Sequence, residues 1–213
     1  KVALPIHIFG FIHDFSFAGD YLVYWIHPLG IKNPIPFLMG KSTFNDCVRY
    51  QPRWGMQAII VRADTLAEVK RVKLDPCIIV HTANAWQEGD QLILDVIRYE
   101  HFKVNDWLSN VLSDHIDFDD DVLSGGQLYR YRLGLTSNLY SAEKIKNTLA
   151  AEFPQWDLRF SGQKNRYSYH VSTQDRKYGG SVYFNSFQKI DHQDRKVTTK
   201  TLPEGEFLSE VIF

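Results

Sequence analysis

A chain of 213 residues with 24 Lys+Arg, 25 Asp+Glu and a formal charge of −1 is one large domain or part of a larger one. Its 44% hydrophobic and 14% aromatic content supports a real core and excludes general disorder. The balanced charge excludes a surface built to coat nucleic acid. Two cysteines, Cys47 and Cys77, exclude a disulfide scaffold or a Cys-rich zinc module and fit a reducing, cytoplasmic setting.

In chain order the periodicity is mostly short and two-fold. Phe11, His13, Phe15 and Phe17 fall on one face of a first strand, and Ile12, Asp14, Ser16 and Ala18 on the other. Tyr21–Ile26 follows the turn at Gly19-Asp20. Further strands are predicted over Gln57–Arg62, Ile78–Thr82, Gln91–Tyr99, Gly126–Leu133, Arg166–Ser172, Gly180–Phe187 and Lys196–Leu202, with turns such as Glu88-Gly89-Asp90 between them. Helix is predicted only over Asn105–Ser113 and Ser141–Glu152. The spacing suits antiparallel hairpins, so the class is all-β, a propeller or a sandwich. No apolar run approaches the ~18–20 residues of a spanning helix, and Lys1–Pro5 lacks a signal-peptide pattern. The start at Lys1 without Met and the strand-like end over Leu208–Phe213 lead to the expectation that 1–213 is a single segment of a longer protein, truncated at both ends.

Several motifs fail on inspection. Gly40-Lys41-Ser42 ends like a phosphate-binding loop, but the glycine needed five residues earlier is Ile35. Asp117, Asp119 and Asp121 imitate a calcium loop whose sixth and twelfth positions are Val122 and Leu128 instead of Gly and Glu. His115, Asp117 and His170 offer the two-His-one-carboxylate set of a 2-oxoglutarate-type iron oxygenase, although the first two sit in an acidic, loop-like stretch. There is no Gly-x-Ser-x-Gly elbow to support hydrolase chemistry.

His13 and His81 each stand inside a strongly apolar strand. A histidine in such a setting is more often a hydrogen-bonded core residue than a ligand. Their surroundings change that balance. The run Phe11-Ile12-His13-Asp14-Phe15-Ser16-Phe17, then Asp20-Tyr21-Leu22-Val23-Tyr24 and Pro28-Leu29, resembles the second-histidine motif of the carotenoid cleavage oxygenase family. Val80-His81-Thr82-Ala83-Asn84-Ala85-Trp86 resembles its third-histidine motif. Gln51-Pro52-Arg53-Trp54-Gly55, Glu152-Phe153-Pro154-Gln155 and Ser209-Glu210-Val211-Ile212-Phe213 are similar to three further family segments, in the family's order, with Val211 where proline is usual.

The resemblance implies an all-β fold: part of a seven-bladed β-propeller with short helical loop insertions. It also implies one Fe(2+) on the propeller axis, held by four histidines of which glutamates orient three. Carried over, His13 and His81 are two metal ligands, and Glu152 and Glu210 are two of the orienting carboxylates. The remaining ligands are expected outside 1–213, since His7, His27, His101, His115, His170 and His192 sit in no matching motif. The implied activity is non-haem Fe(II) dioxygenase cleavage of a conjugated C=C bond of a carotenoid or apocarotenoid to two carbonyl products. A stilbene-cleaving oxygenase or an inactive propeller scaffold are the alternatives, and the segment alone is expected to be inactive. The expected partners are a lipophilic polyene and O2, with no nucleic acid. Phe15, Phe37 and Trp86 are candidates for the substrate tunnel. The apolar stretch Ile31–Met39 reads either as a loop packed on the core or as a peripheral membrane contact at the tunnel mouth.

Overall fold

The protein is described from a computed structural model that covers residues 11–101, 126–174 and 184–212. Its strands, in chain order, are β1 (Phe15–Ala18), β2 (Tyr21–Ile26), β3 (Leu29–Ile31), β4 (Val48–Tyr50), β5 (Met56–Arg62), β6 (Glu68–Leu74), β7 (Ile78–Glu88), β8 (Gln91–Tyr99), β9 (Gln127–Gly134), β10 (Tyr140–Lys144), β11 (Ala150–Gln155), β12 (Tyr167–Thr173), β13 (Ser186–Asp191) and β14 (Lys196–Thr201). They form three four-stranded antiparallel sheets in which each strand pairs with the next: β1-β2-β5-β6, β7-β8-β9-β10 and β11-β12-β13-β14. β3 and β4 make a small separate ribbon. The first strands of successive sheets, β1, β7 and β11, are neighbours. That is the blade arrangement of a propeller, with the first strand of every blade innermost.

Period-two alternation explains the packing. Along β2, Val23 and Trp25 pack with Ala58 and Ile60 into the core shared by the first two blades, where Leu92, Leu94, Val96 and Leu133 of the second blade meet them. Ile26, with Leu22 and Tyr24 beside it, turns to the opposite face and packs on Ile59 and Val61. The second and third blades join through Ala83, Ile97, Leu128, Ala151 and Ile190. Each fully buried Ile or Leu contributes about 1.5–3 kcal/mol relative to exposure. The inter-blade cores therefore supply most of the cohesion.

Several strands match their predicted bounds to within a residue, while three expectations are corrected. Ser141–Glu152 is not a helix but β10, a turn with Asn147 at φ 63°, and β11. Tyr140 and Ser141 pair with Leu133 and Arg132, and this sheet edge overrides the helical propensity of Ala142-Glu143-Lys144. The strand drawn over Gly180–Phe187 is β13, which runs over Ser186–Asp191; residues 180–183 lie outside the described residues. The first strand begins at Phe15 rather than Phe11, with Phe15 and Phe17 exposed and Ser16 and Ala18 buried. The Asn105–Ser113 helix, together with His115, Asp117, Asp119 and Asp121, lies outside the described residues. Among the described residues the helical insertions are short: α1 (Ile35–Leu38) and three single 3-10 turns.

The connectivity sorts the loops. In every blade the second-to-third-strand connection, residues 27–55, 100–126 and 174–185, leaves and rejoins the sheet at the end where the innermost strand begins. The tight turns lie at the other end. There the loop 156–166 reaches back across the blades: Gly19 N–H donates to the Gly162 carbonyl at 2.9 Å and Asn84 Nδ2 donates to the Gln163 carbonyl at 2.6 Å. Gly162 holds φ 77° against the Phe17 ring, and a Cβ there would lie 2.8 Å from Phe17 Cε1, so only glycine fits.

A buried polar chain ties the second blade to the third. Arg130 bonds Asp95 through both Nε and Nη2 at 2.7 Å, and its Nη2 also donates to His192 Nδ1 at 3.1 Å. Arginine has donors only, so His192 Nδ1 accepts and its Nε2–H donates to Ser168 Oγ at 2.8 Å. The Ser168 hydroxyl then donates to His170 Nε2, also at 2.8 Å. His170 is fully buried, and burial, aided by the nearby His192, pushes its pKa down to about 3; burial also lowers that of His192. His170 therefore stays neutral in the fold until pH falls towards 3, whereas in the unfolded chain it takes up a proton below about 6.5. Across that window acid favours unfolding, by up to about 1.4 kcal/mol per pH unit for one such group. The expected result is a melting temperature that falls from pH 7 to pH 5. His170→Gln should flatten that dependence, and an unchanged slope in the variant would refute the assignment.

Candidate metal centre at the inner strands

The inner strands start at the end that carries the long connections, and His13 and His81 lie there together. His13 sits two residues before β1 and is exposed; His81 lies near the start of β7 and is partly buried. Their rings are 5.1 Å apart, centroid to centroid, at 78°. β7 carries two register shifts, Ile79/Thr82 and Thr82/Ala85, so His81 lies inside a bulge, a device that re-aims a side chain out of the regular pleat.

Glu152 comes from the neighbouring inner strand, β11. Its Oε2 lies 2.6 Å from His81 Nδ1, and its Oε1 accepts from the Tyr99 hydroxyl. The Phe153 N–H also donates to Oε2, at 3.1 Å. β11 is irregular here as well, with a register shift after Glu152 and Phe153 at φ 47°, a left-handed conformation that is costly for an aromatic residue. The kink turns the Phe153 ring onto His81 at 5.1 Å, with Phe184 5.8 Å beyond it. Burial works to lower the His81 pKa, but the hydrogen bond and charge of Glu152 outweigh it and the net shift is upward. Burial and the same carboxylate hold the Tyr99 phenol well above its ordinary range, which keeps it a donor.

This arrangement suits a metal-bound imidazole. A carboxylate at Nδ1 fixes the tautomer with the proton on Nδ1 and leaves the Nε2 lone pair on the far side of the ring as the ligand atom. Among the described residues no group of three or more His, Cys, Asp or Glu side chains converges as a metal set, so the described donors amount to the two histidines. Glu210 is exposed near the end of the chain and acts on His81 through charge alone, without a hydrogen bond to either histidine.

The tunnel candidates do not gather at one place. Phe15 is exposed two residues from His13 and packs on Tyr24 at 5.7 Å. Phe37 is in α1, which buries no residue, and meets Phe44 at 5.6 Å. Trp86 lies five residues beyond His81, towards the opposite end of β7, beneath the Arg130 guanidinium at 4.9 Å and beside a charged cleft of about 640 Å3 lined by Glu88, Arg130, Arg132 and Lys164. His170 is sealed in the inter-blade chain described above. Sequence reasoning did not single out Tyr99, Phe153 or His27. Only Phe153 carried a local signal, as the residue after the glutamate in Glu152-Phe153-Pro154.

Three antiparallel blades packed side by side, two of them with a histidine at the start of the inner strand, have the architecture of a β-propeller. The family model described as retinal pigment epithelial membrane protein matches residues 1–213, and the chain belongs to that family, the carotenoid cleavage oxygenases that its motifs resemble. The apocarotenoid-15,15'-oxygenase of Synechocystis sp. is 27% identical over 96% of this chain and 40% of its own length. The carotenoid 9,10(9',10')-cleavage dioxygenase 1 of Phaseolus vulgaris is 24% identical over 95% of this chain and 37% of its own length. Among solved structures, a point variant of the Synechocystis apocarotenoid oxygenase superposes with a TM-score of 0.80 at 25% identity, covering 96% of this chain and 41% of that one. The chain thus spans well under half the length of the curated relatives it matches. No helix among the described residues is long and apolar enough to cross a membrane.

Proposed function

We propose that the complete protein is a non-haem Fe(II) dioxygenase that cleaves a conjugated C=C bond of a carotenoid or apocarotenoid into two carbonyl products. The observation that carries this is the His81–Glu152 pair with His13 beside it, at the loop-bearing end of the inner strands. His13 and His81 are two of the metal ligands; Glu152 orients His81, and Glu210 is proposed to do the same for a histidine outside 1–213. Fe(II) held by neutral imidazoles supplies the site at which O2 is activated. The protein's own part is to place one double bond beside that site and to keep water away, so proximity carries much of the rate. Phe153, over His81, and Phe15, beside His13, offer apolar aromatic surface to a polyene.

Ile31, Ile35, Phe37, Leu38, Met39 and Phe44 are all exposed on the connection between β2 and β5, at the same end as the histidines. This supports the membrane alternative for that stretch over the packed-loop one. A lipophilic substrate dissolved in a bilayer would be taken up from a membrane surface by a peripheral, cytoplasmic protein.

The full-length protein, reconstituted with Fe(II) and given an apocarotenal in detergent micelles, should consume one O2 per double bond cleaved and release two carbonyl fragments. With labelled dioxygen, each fragment should carry one labelled oxygen. Turnover of a stilbene but not of the polyene would move the substrate to the phenolic branch. Failure with both would leave a non-catalytic propeller.

A further inference from the structure

His27 is nearly fully buried at the end of β2, and it touches both histidine-bearing segments. Its Nδ1 lies 2.6 Å from the Phe11 carbonyl, and its Nε2 accepts the Ile79 N–H at 3.0 Å. A carbonyl can only accept and an amide N–H can only donate, so a single neutral tautomer, protonated on Nδ1, satisfies both contacts. Phe11 is two residues before His13, and Ile79 is two residues before His81. A second bridge lies on the other side of the pair: Asp14 Oδ2 accepts from both the N–H and the Oγ1 hydroxyl of Thr82 at 2.8 Å, each partner one residue after its histidine.

β1 and β7 belong to different sheets, so no ladder of backbone hydrogen bonds sets their relative register. At this end side-chain bridges set it. The rings reinforce the inner one, since Phe11 stacks on His13 at 5.9 Å and leans on His27 at 6.1 Å.

We propose that His27 is a positioning residue: it locks the segment carrying His13 to the strand carrying His81 and so sets the spacing of the two imidazoles. This rests on the reading of His13 and His81 as metal ligands. His27 does not touch the metal in this arrangement. Its removal takes one hydrogen bond each from the Phe11 carbonyl and the Ile79 N–H and opens one of the two bridges. The nearer bridge, from Thr82 to Asp14 and the Phe15 carbonyl, then remains.

The test uses the full-length protein with His27→Leu, which keeps bulk but loses both contacts, and His27→Gln, whose longer amide can donate and accept at once. Fe(II) affinity is measured by anaerobic chelator competition. The visible spectrum of the Co(II)-loaded protein reports ligand geometry, and melting of the metal-free protein reports folding. His27→Leu is expected to weaken Fe(II) binding about 10–100-fold, the usual range for outer partners of a metal ligand, and to shift the Co(II) bands. His27→Gln should recover most of both. Wild-type affinity and spectrum in a folded His27→Leu protein would overturn the inference. If that variant does not fold, His27→Asn serves in its place: its shorter amide reaches one partner, so its affinity should fall between wild type and complete loss, and equal affinities for the Asn and Gln variants would overturn the inference. His13→Ala and His81→Ala separate the two readings. Iron retained in both defeats the ligand assignment itself, whereas iron lost in both with a wild-type His27→Leu protein defeats only the positioning role.

Discussion

Iron should disappear from the complete protein when either His13 or His81 is replaced by Ala, with one equivalent per chain in the wild type falling to a trace after dialysis against a weak chelator. The loss should exceed the roughly 10–100-fold that outer-shell partners carry, because a ligand atom itself is gone. The two variants differ in a useful way. His13 is exposed and, among the described residues, makes only ring contacts with Phe11 and His81, so its removal costs the fold little. His81→Ala strips the Nδ1 partner from Glu152, a carboxylate only 6% exposed, and a buried charge left with fewer partners destabilises the protein. Melting of the metal-free proteins should therefore be close to wild type for His13→Ala and lower for His81→Ala, while iron is lost in both. The 2-oxoglutarate alternative makes the opposite claim: His115→Ala abolishes iron and His13→Ala spares it. His170, which that alternative needs as a ligand, has its Nε2 committed to Ser168 deep between two blades.

The fold was legible where the apolar pattern is strong and local. Tyr21–Ile26 and Gln91–Tyr99 could be drawn because each is a short apolar run, rich in aromatic or β-branched residues, with a turn at its end. Ser141–Glu152 was not, since its residues favour helix locally and become strand only through pairing with β9 on one side and β12 on the other. The blade order was also hidden. Strands of unequal length, with no shared sequence, give no repeat to find, and it is the contacts of β1, β7 and β11 that reveal the blade order. At the site, the motifs pointed to His13, His81 and Glu152, and the structure brings these three together. The supports were out of reach: Tyr99 and His27 act across distances of 53 and 52 residues, and nothing in their local sequence marks them. Trp86 shows the converse. It shares a motif with His81 but lies five residues along an extended strand, roughly 16 Å away at about 3.3 Å per residue.

Glu152→Gln should separate the chemistry of the site from the stability of the fold. The wild-type carboxylate is almost fully engaged, with Oε2 accepting from His81 Nδ1–H and from the Phe153 N–H, and Oε1 accepting from the Tyr99 hydroxyl. An amide of the same shape can keep its oxygen at the Oε2 position, where the Phe153 N–H can only donate and His81 Nδ1–H donates in the tautomer that leaves Nε2 free for a metal. Its NH2 group then faces Tyr99, whose hydroxyl can rotate and accept instead. Every buried polar atom keeps a partner, so the metal-free protein should melt within a few degrees of wild type. What is lost is the negative charge at Nδ1. That charge raises the basicity of the imidazole and steadies it once its Nε2 is bound to a cation, so iron affinity or turnover should fall by roughly 10–100-fold. Glu152→Ala should be worse on both counts, since it removes the oxygen that holds His81 and leaves Tyr99 without its acceptor. A Gln variant with wild-type iron affinity and wild-type turnover would sink the orienting role of Glu152. A Gln variant that fails to fold would instead mean that the charge itself holds the inner strands β7 and β11 together, through the only carboxylate that bonds to a histidine of the His13–His81 pair among the described residues.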